Sequence, residues 1–210
     1  ELGNEVVFRG YRLEDYYNEL PGQWDRIILN ESPNDHIFNH ARIENSFIVI
    51  SAEYYFLSGT PQVASNKLKF TNSTITNTEG VGMLVRNYNV EGTNSLIANS
   101  QNQLFASTGG GEQRFVHCTF ANYWQYGSRQ EGSLYAANGV QIQISSSEAI
   151  EYIGDQSVFF GNCIFYGPND EELEVDSIQG GDLDVVFDHC VLKTELTQVD
   201  PGLSFLNCII

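Results

Sequence analysis

Apolar residues in this chain recur in pairs at an odd separation. In "LKFTNSTITN", residues 68–77, Phe70 and Ile75 lie five apart, which on one straight strand would send them to opposite faces because side chains alternate with period two. A bend at Asn72–Ser73 lets both point inward. Asn tolerates the left-handed backbone such a bend needs, and its amide can bond the same amide in a stacked copy. Copies of the stretch exist. "HIFNHARIEN", "QRFVHCTFAN", "VFFGNCIFYG", "VVFDHCVLKT" and "LSFLNCII" all run aromatic, any residue, Asn or His, small, any residue, apolar, and "VEGTNSLIAN" is a weaker version.

With the small residue as marker the copies fall at Ala41, Ser73, Ser95, Cys118, Cys163, Cys190 and Cys208, spaced 32, 22, 23, 45, 27 and 18 residues apart. A period of this length signals stacked repeats. On a unit of about 22 residues, the long first interval is one unit plus an insertion, and the longest is two units with a hidden copy in "SLYAANGVQIQIS". A second strand-like segment recurs between markers, as in "SFIVIS", "GVGMLVRN", "NQLFAST" and "DLDVVF", and no stretch shows a 3.6-residue period. The pattern predicts an all-β chain folded as a right-handed parallel β-helix of about 22 residues per coil, with strands stacked about 4.8 Å apart. Residues 1–210 are expected to form one such domain, as part of a longer chain.

The template also decides how the pair His117–Cys118 is read. Alone, a thiol beside an imidazole suggests a nucleophile or a zinc site. The slot before the marker, however, holds His40, Asn72, Asn94, His117, Asn162, His189 and Asn207, and the marker slot holds all four cysteines, Cys118, Cys163, Cys190 and Cys208. These residues are therefore expected to form a structural ladder. The histidines are separated by intervening coils and cannot share an ion. Directly stacked parallel positions suit a disulfide poorly, so free, buried thiols are expected.

Composition narrows the function. Ten Lys and Arg against 27 Asp and Glu give a net charge of -17, which repels nucleic acid and anionic membrane surfaces at long range. Apolar residues make up 41% of the chain, enough for a sizeable core. No apolar window is long enough for a spanning helix, and the opening "ELGNEVVFRG" has neither a basic start nor an apolar segment, so no signal peptide is expected within this sequence.

The combination of "FRGYRLEDYYNELPGQWDRIIL", "RFVHCTFANYW" and "VFFGNCIFYG" resembles the right-handed parallel β-helix proteins of Bacteroidetes, many of them predicted surface lipoproteins. The resemblance implies a secreted protein on the extracellular or outer-membrane surface. Members of that family carry a lipoprotein signal further upstream. Related β-helices include polysaccharide lyases, polygalacturonases and pectin esterases, so by analogy a carbohydrate role is implied.

Three stretches could carry chemistry. In "GGDLDVVFD", Asp182 and Asp184 share a strand face and Asp188 lies beyond, an arrangement that could supply acid and base to a glycosidic bond or simply solvate a strand edge. In "GPNDEELEVD", Asp170, Glu171 and Glu172 are the candidate ligands for a calcium cofactor, against the plainer reading of a solvated loop. In "ANYWQYGSRQ", Tyr123, Trp124, Tyr126 and Arg129 leave the template and could stack on and bond a sugar ring, or fold back as a lid. Tyr54 and Tyr55 in the insertion "AEYYFLSGTPQVASN" could act similarly.

Outward positions add a partner question. They are polar early, as at Lys69, Thr74, Arg114 and Thr119, but Phe159, Ile164, Val186, Val191 and Ile209 occupy them later, so either the parity shifts there or the C-terminal coils are covered, by the acidic loop, another domain or a partner chain. The leading expectation is a non-enzymatic surface protein, a rigid scaffold or glycan- or protein-binding module. A polysaccharide lyase or glycoside hydrolase, or a structural subunit of a surface assembly, are the alternatives.

Overall fold

The computed structural model describes residues 4–12, 14–54, 62–145, 148–197 and 202–210. The chain visits three sheets in cyclic order. Its first circuit is β1 (Val6–Phe8), β2 (Ile27–Leu29) and β3 (His36–Asn39); its second is β4 (Ala41–Glu44), β5 (Ile50–Glu53) and β6 (Lys67–Thr71). The third comprises β7 (Thr74–Thr78), β8 (Met83–Arg86) and β9 (Asn89–Thr93), and the fourth β10 (Leu96–Ser100), β11 (Phe105–Thr108) and β12 (Gly111–Val116). The fifth holds β13 (Thr119–Ala121), β14 (Leu134–Ala137), then β15 (Gly139–Ser145) and β16 (Glu148–Ile153), and finally β17 (Gln156–Gly161). The sixth is β18 (Ile164–Tyr166), β19 (Leu173–Asp176) and β20 (Leu183–Asp188), followed by β21 (Val191–Leu192) and β22 (Leu203–Leu206).

Each circuit stacks on the one before. The first sheet runs β1-β4-β7-β10-β13-β18-β21, the second β2-β5-β8-β11-β14-β19 and the third β3-β6-β9-β12-β17-β20-β22. Every pairing within these sheets is parallel; among the described residues only β15 and β16 pair antiparallel. Among the described residues there is no α-helix. The all-β, parallel architecture is compatible with a β-helix or solenoid.

The odd apolar spacing has the expected geometric cause. In β6 Leu68 and Phe70 point inward between Lys67, Lys69 and Thr71. The backbone then turns through Asn72 at φ 50°, and Ile75 in β7 faces the same core, both Phe70 and Ile75 being fully buried. All seven residues of the Asn/His slot, His40, Asn72, Asn94, His117, Asn162, His189 and Asn207, have φ between 50° and 57°. The left-handed backbone is their common property. An amide bond joins two early members, with Asn94 Nδ2 donating to Asn72 Oδ1 at 2.8 Å, and Asn72 Nδ2 in turn donates at 3.1 Å to Oδ1 of Asn39, the residue before His40.

The small residue after each corner has its own task. The Ala41 amide donates to Ser73 Oγ at 2.9 Å and the Ser73 amide to Ser95 Oγ at 3.2 Å. Further along, the Cys118 amide donates to Cys163 Sγ and the Cys163 amide to Cys190 Sγ, both at 3.4 Å. A short side chain with an acceptor thus satisfies a backbone N–H one coil away, which would otherwise be left unpaired in the interior. All four cysteines are free; Cys118, Cys163 and Cys190 are buried and Cys208 is half-buried. Hydrogen bonding to the neighbouring Cys118 and Cys190 thiols, together with burial, pushes the Cys163 thiol up.

Inside, phenylalanines stack along the axis. Phe115 and Phe160 lie 5.5 Å apart at 15°, Phe160 and Phe187 5.0 Å at 16°, and Phe120 and Phe165 4.2 Å at 4°. The weak copy has a reason. Gly92 stands where the others have an aromatic, and a Cβ there would meet the Phe115 ring at 2.2 Å.

One reading of the spacing is corrected. The 45 residues between Cys118 and Cys163 are a single circuit, because Thr119 pairs with Ile164 and Phe115 with Phe160 on adjacent strands. "SLYAAN" supplies β14 of that circuit, and "GVQIQIS" is one arm of the β15–β16 hairpin. Alternation of Val, Ile and Gln has the same period in a hairpin arm as in a coil strand, so the pattern alone does not reveal the direction of the partner. Residues 55–61 of the other insertion, Tyr55 among them, lie outside the described residues.

Candidate functional site

A second left-handed corner follows the first sheet, at Asn45 (φ 63°), Asn77 (φ 61°) and Asn99 (φ 58°). Asn77 Nδ2 donates to Asn45 Oδ1 at 2.6 Å, and Asn45 Nδ2 donates to the Asn18 carbonyl at 2.9 Å. Asn77 also donates to the Glu19 carbonyl. These bonds lay the segment carrying Asn18 and Glu19 beside the corner.

The next position in the column is Asn122, and there the corner ends: its φ is not positive and its side chain is buried. Its Oδ1 accepts from the Ser100 amide at 2.9 Å and its Nδ2 donates to the Asn102 carbonyl at 3.1 Å. Bound into the preceding coil, Asn122 does not turn the chain onward in the usual way, and residues 123–131 run out over the surface before the chain is buried again at Gly132 and Ser133. The excursion is pinned at Tyr123, whose amide donates to Asn99 Oδ1 at 3.2 Å, and at Tyr126, whose hydroxyl donates to the Glu19 carbonyl at 2.7 Å.

The result is an open cleft of about 380 Å³ lined by Asn18, Glu19, Glu44, Asn45, Thr76, Asn77, Asn99 and residues Tyr123 to Tyr126. Its floor is amide and hydroxyl; its wall is aromatic. Tyr123 and Tyr126 are half-exposed, the Trp124 and Tyr126 rings sit 5.1 Å apart at 59°, and the indole N–H of Trp124 is buried without a hydrogen-bond partner. Amides that fix orientation beside exposed rings suit a small polar ligand with an apolar face.

Of the four residues singled out in this segment, three line the cleft and Arg129 does not. Its side chain is 2% exposed and forms a two-pronged ion pair with the fully buried Glu172, at 2.7 Å and 3.1 Å. It also donates to the Asn122 carbonyl at 3.0 Å and the Glu131 carbonyl at 3.1 Å. Arg129 is therefore a positioning residue that ties the start of the excursion to the next coil. A planar guanidinium matches a carboxylate edge to edge, which makes such a pair geometrically specific.

The same bonds occupy two of the calcium candidates. Glu172 is committed to Arg129 and accepts from Ser133 Oγ, while Glu171 accepts the amides of Leu173 and Glu195, each at 2.8 Å. Asp170 is exposed. Among the described residues no three His, Cys, Asp or Glu side chains converge as a metal would require.

Asp182 and Asp184 face solvent on a shallow depression that also includes Glu112 and Asp155 but no Lys or Arg. Asp188 lies at the far end of β20, about 13 Å from Asp184 by strand rise, with Oδ1 2.7 Å from His189 Nδ1. The three aspartates do not converge on one bond. Tyr54 is half-buried and its hydroxyl bonds Glu31, which raises its pKa; it does not reach the cleft lining.

Sequence reasoning missed Asn18, Glu19 and the second Asn column as the floor of the cleft. The signal was present, since the quoted copies end at Asn45, Asn77, Asn99 and Asn122. Those residues mark the corner beside the aromatic excursion. No known protein family, curated protein or solved structure matches this chain.

Proposed function

We propose that the chain is a right-handed parallel β-helix that acts as a non-enzymatic binding module on the extracellular or outer-membrane surface, with its cleft taking an uncharged glycan. The observation that carries this reading is the pairing of a Tyr123–Trp124–Tyr126 wall with a floor of Asn45, Asn77 and Asn99. Sugar rings offer an apolar face for aromatic contact and hydroxyls for amides. The net charge of -17, with Glu19 and Glu44 in the lining, disfavours a uronate or sulfated ligand. The lyase or hydrolase alternative has less to rest on, because no Lys, Arg or aromatic side chain lines the depression that Asp182 and Asp184 share with Glu112 and Asp155, and the nearby Arg114 is stacked on Phe159.

A glycan microarray probed with the native chain and with Trp124→Ala and Tyr126→Ala tests it. Binding to neutral glycans is expected, weakened at least about tenfold in each variant, or about 1.4 kcal/mol. Retention of binding in both variants, or a response confined to acidic glycans, defeats the reading. Release of reducing ends or unsaturated products from a bound glycan would replace it with the enzymatic one.

A further inference from the structure

The outward column of the first sheet changes character along the axis. In register it reads Arg42, Thr74, Leu96, Thr119, Ile164, Val191 and Ile209. The parity is unchanged throughout, so the late apolar residues do face out: Ile164 is 41% exposed, Tyr166 44% and Ile209 68%. Such a run of outward apolar positions on one strand ladder is what marks an interaction surface.

Charge changes at the same place. After residue 129 the chain carries 14 acidic residues and one basic residue, Lys193. That lysine is occupied, with Nζ 3.2 Å from the carbonyls of Gly167 and Pro168. The strands bearing the stripe are bordered in sequence by Asp188 and run on into the exposed Asp170 and Glu195.

We propose that this stripe docks a basic polypeptide segment of a partner protein, its apolar side chains seated on Ile164, Tyr166, Val191 and Ile209 and its cations facing the bordering carboxylates. Complementary charge steers and orients such an encounter, and the apolar centre supplies the contact area. A second copy of the chain brings its own charge of -17 against the same end, and an anionic lipid surface is repelled for the same reason.

Two synthetic 12-residue peptides serve as probes, one alternating Lys and Val, the other Lys and Ser, titrated against the whole chain. The native protein is expected to bind the Lys-Val peptide at least tenfold more tightly than the Lys-Ser peptide. Ile164→Ser with Ile209→Ser should erase that preference, and Asp170→Lys with Glu195→Lys should weaken both peptides. All four side chains face out, so the thermal transition should hold in each variant. Equal affinity for the two peptides, or a preference that survives the serine pair, overturns the proposal. So does a native dimer in sedimentation that the serine pair disperses, which would assign the stripe to a second copy.

Discussion

The corner before the first sheet keeps a left-handed Asn or His in seven successive coils, from His40 to Asn207, whereas the corner after it does so in three, at Asn45, Asn77 and Asn99. Both corners solve the same geometric problem, turning a strand into the next sheet without burying an unpaired N–H. Where the solution repeats, the corner lines a regular depression along the coils, formed by His40, Asn72, Asn94 and His117 with Thr74 and Thr119 and without an aromatic wall. At Asn122 it stops repeating, because that side chain is bound into the coil beneath, and the chain that escapes builds the aromatic wall of the cleft. In a stacked fold the site therefore arises where a local rule lapses, and something else must hold the departing segment.

That holder is the Arg129–Glu172 pair, and breaking it is the largest way to disturb the contrast. Both side chains are almost fully buried, so Glu172→Gln leaves an uncompensated guanidinium and is expected to cost about 3–5 kcal/mol in urea denaturation. Arg129→Met should cost a similar amount. Arg129→Met with Glu172→Leu should recover much of the loss, because it removes both charges at once. If the single variants were near native in stability, the excursion would not depend on the pair. The stable double variant should also bind glycan less well, since Trp124 and Tyr126 lose their anchor while keeping their identity.

The persistent corner breaks more gently. His117 is exposed and sits at φ 57°, where a β-branched side chain is costlier than Asn by about 1–2 kcal/mol. His117→Val should therefore lower stability by about that much, while His117→Asn should be close to neutral. This sharpens the earlier reason for the slot. The amide ladder seen at Asn72 and Asn94 is an addition to the backbone requirement, so equal stability of the Val and Asn variants would count against the backbone argument itself.

The repeating corner was legible in the sequence because its cause is local. A left-handed residue selects Asn or His, and a backbone N–H one coil away selects Ser or Cys, so both leave a residue signature at a fixed offset. The hairpin β15–β16 was misread as a coil because strand alternation does not encode the direction of the partner. Arg129 was grouped with its aromatic neighbours because its partner Glu172 lies 43 residues away inside an acidic run that reads as solvated. Long-range pairing through a surface excursion has no periodicity to betray it. The same applies to Asn18 and Glu19, which reach the cleft only through the bonds that Asn45, Asn77 and Tyr126 make to their carbonyls.

The smallest expected effect separates the coils by pH. On the early coils Asp35 is held below the usual carboxylate range by hydrogen bonding to Lys69, and Glu31 by its bond from Tyr54. Their stabilising contribution is present above the ordinary carboxylate pKa and is lost as pH falls through the lowered value. On β19 burial pushes Glu174 up, so its contribution is present below the ordinary value and lost as pH rises through the raised one. Acidification also relieves the excess of carboxylates after residue 129. Hydrogen exchange followed from pH 6 to pH 3.5, corrected for intrinsic rates, should show protection of β3 and β6 falling relative to that of β14 and β19. A uniform change across the coils would mean that the charge asymmetry along the axis does not reach the stability of the strands.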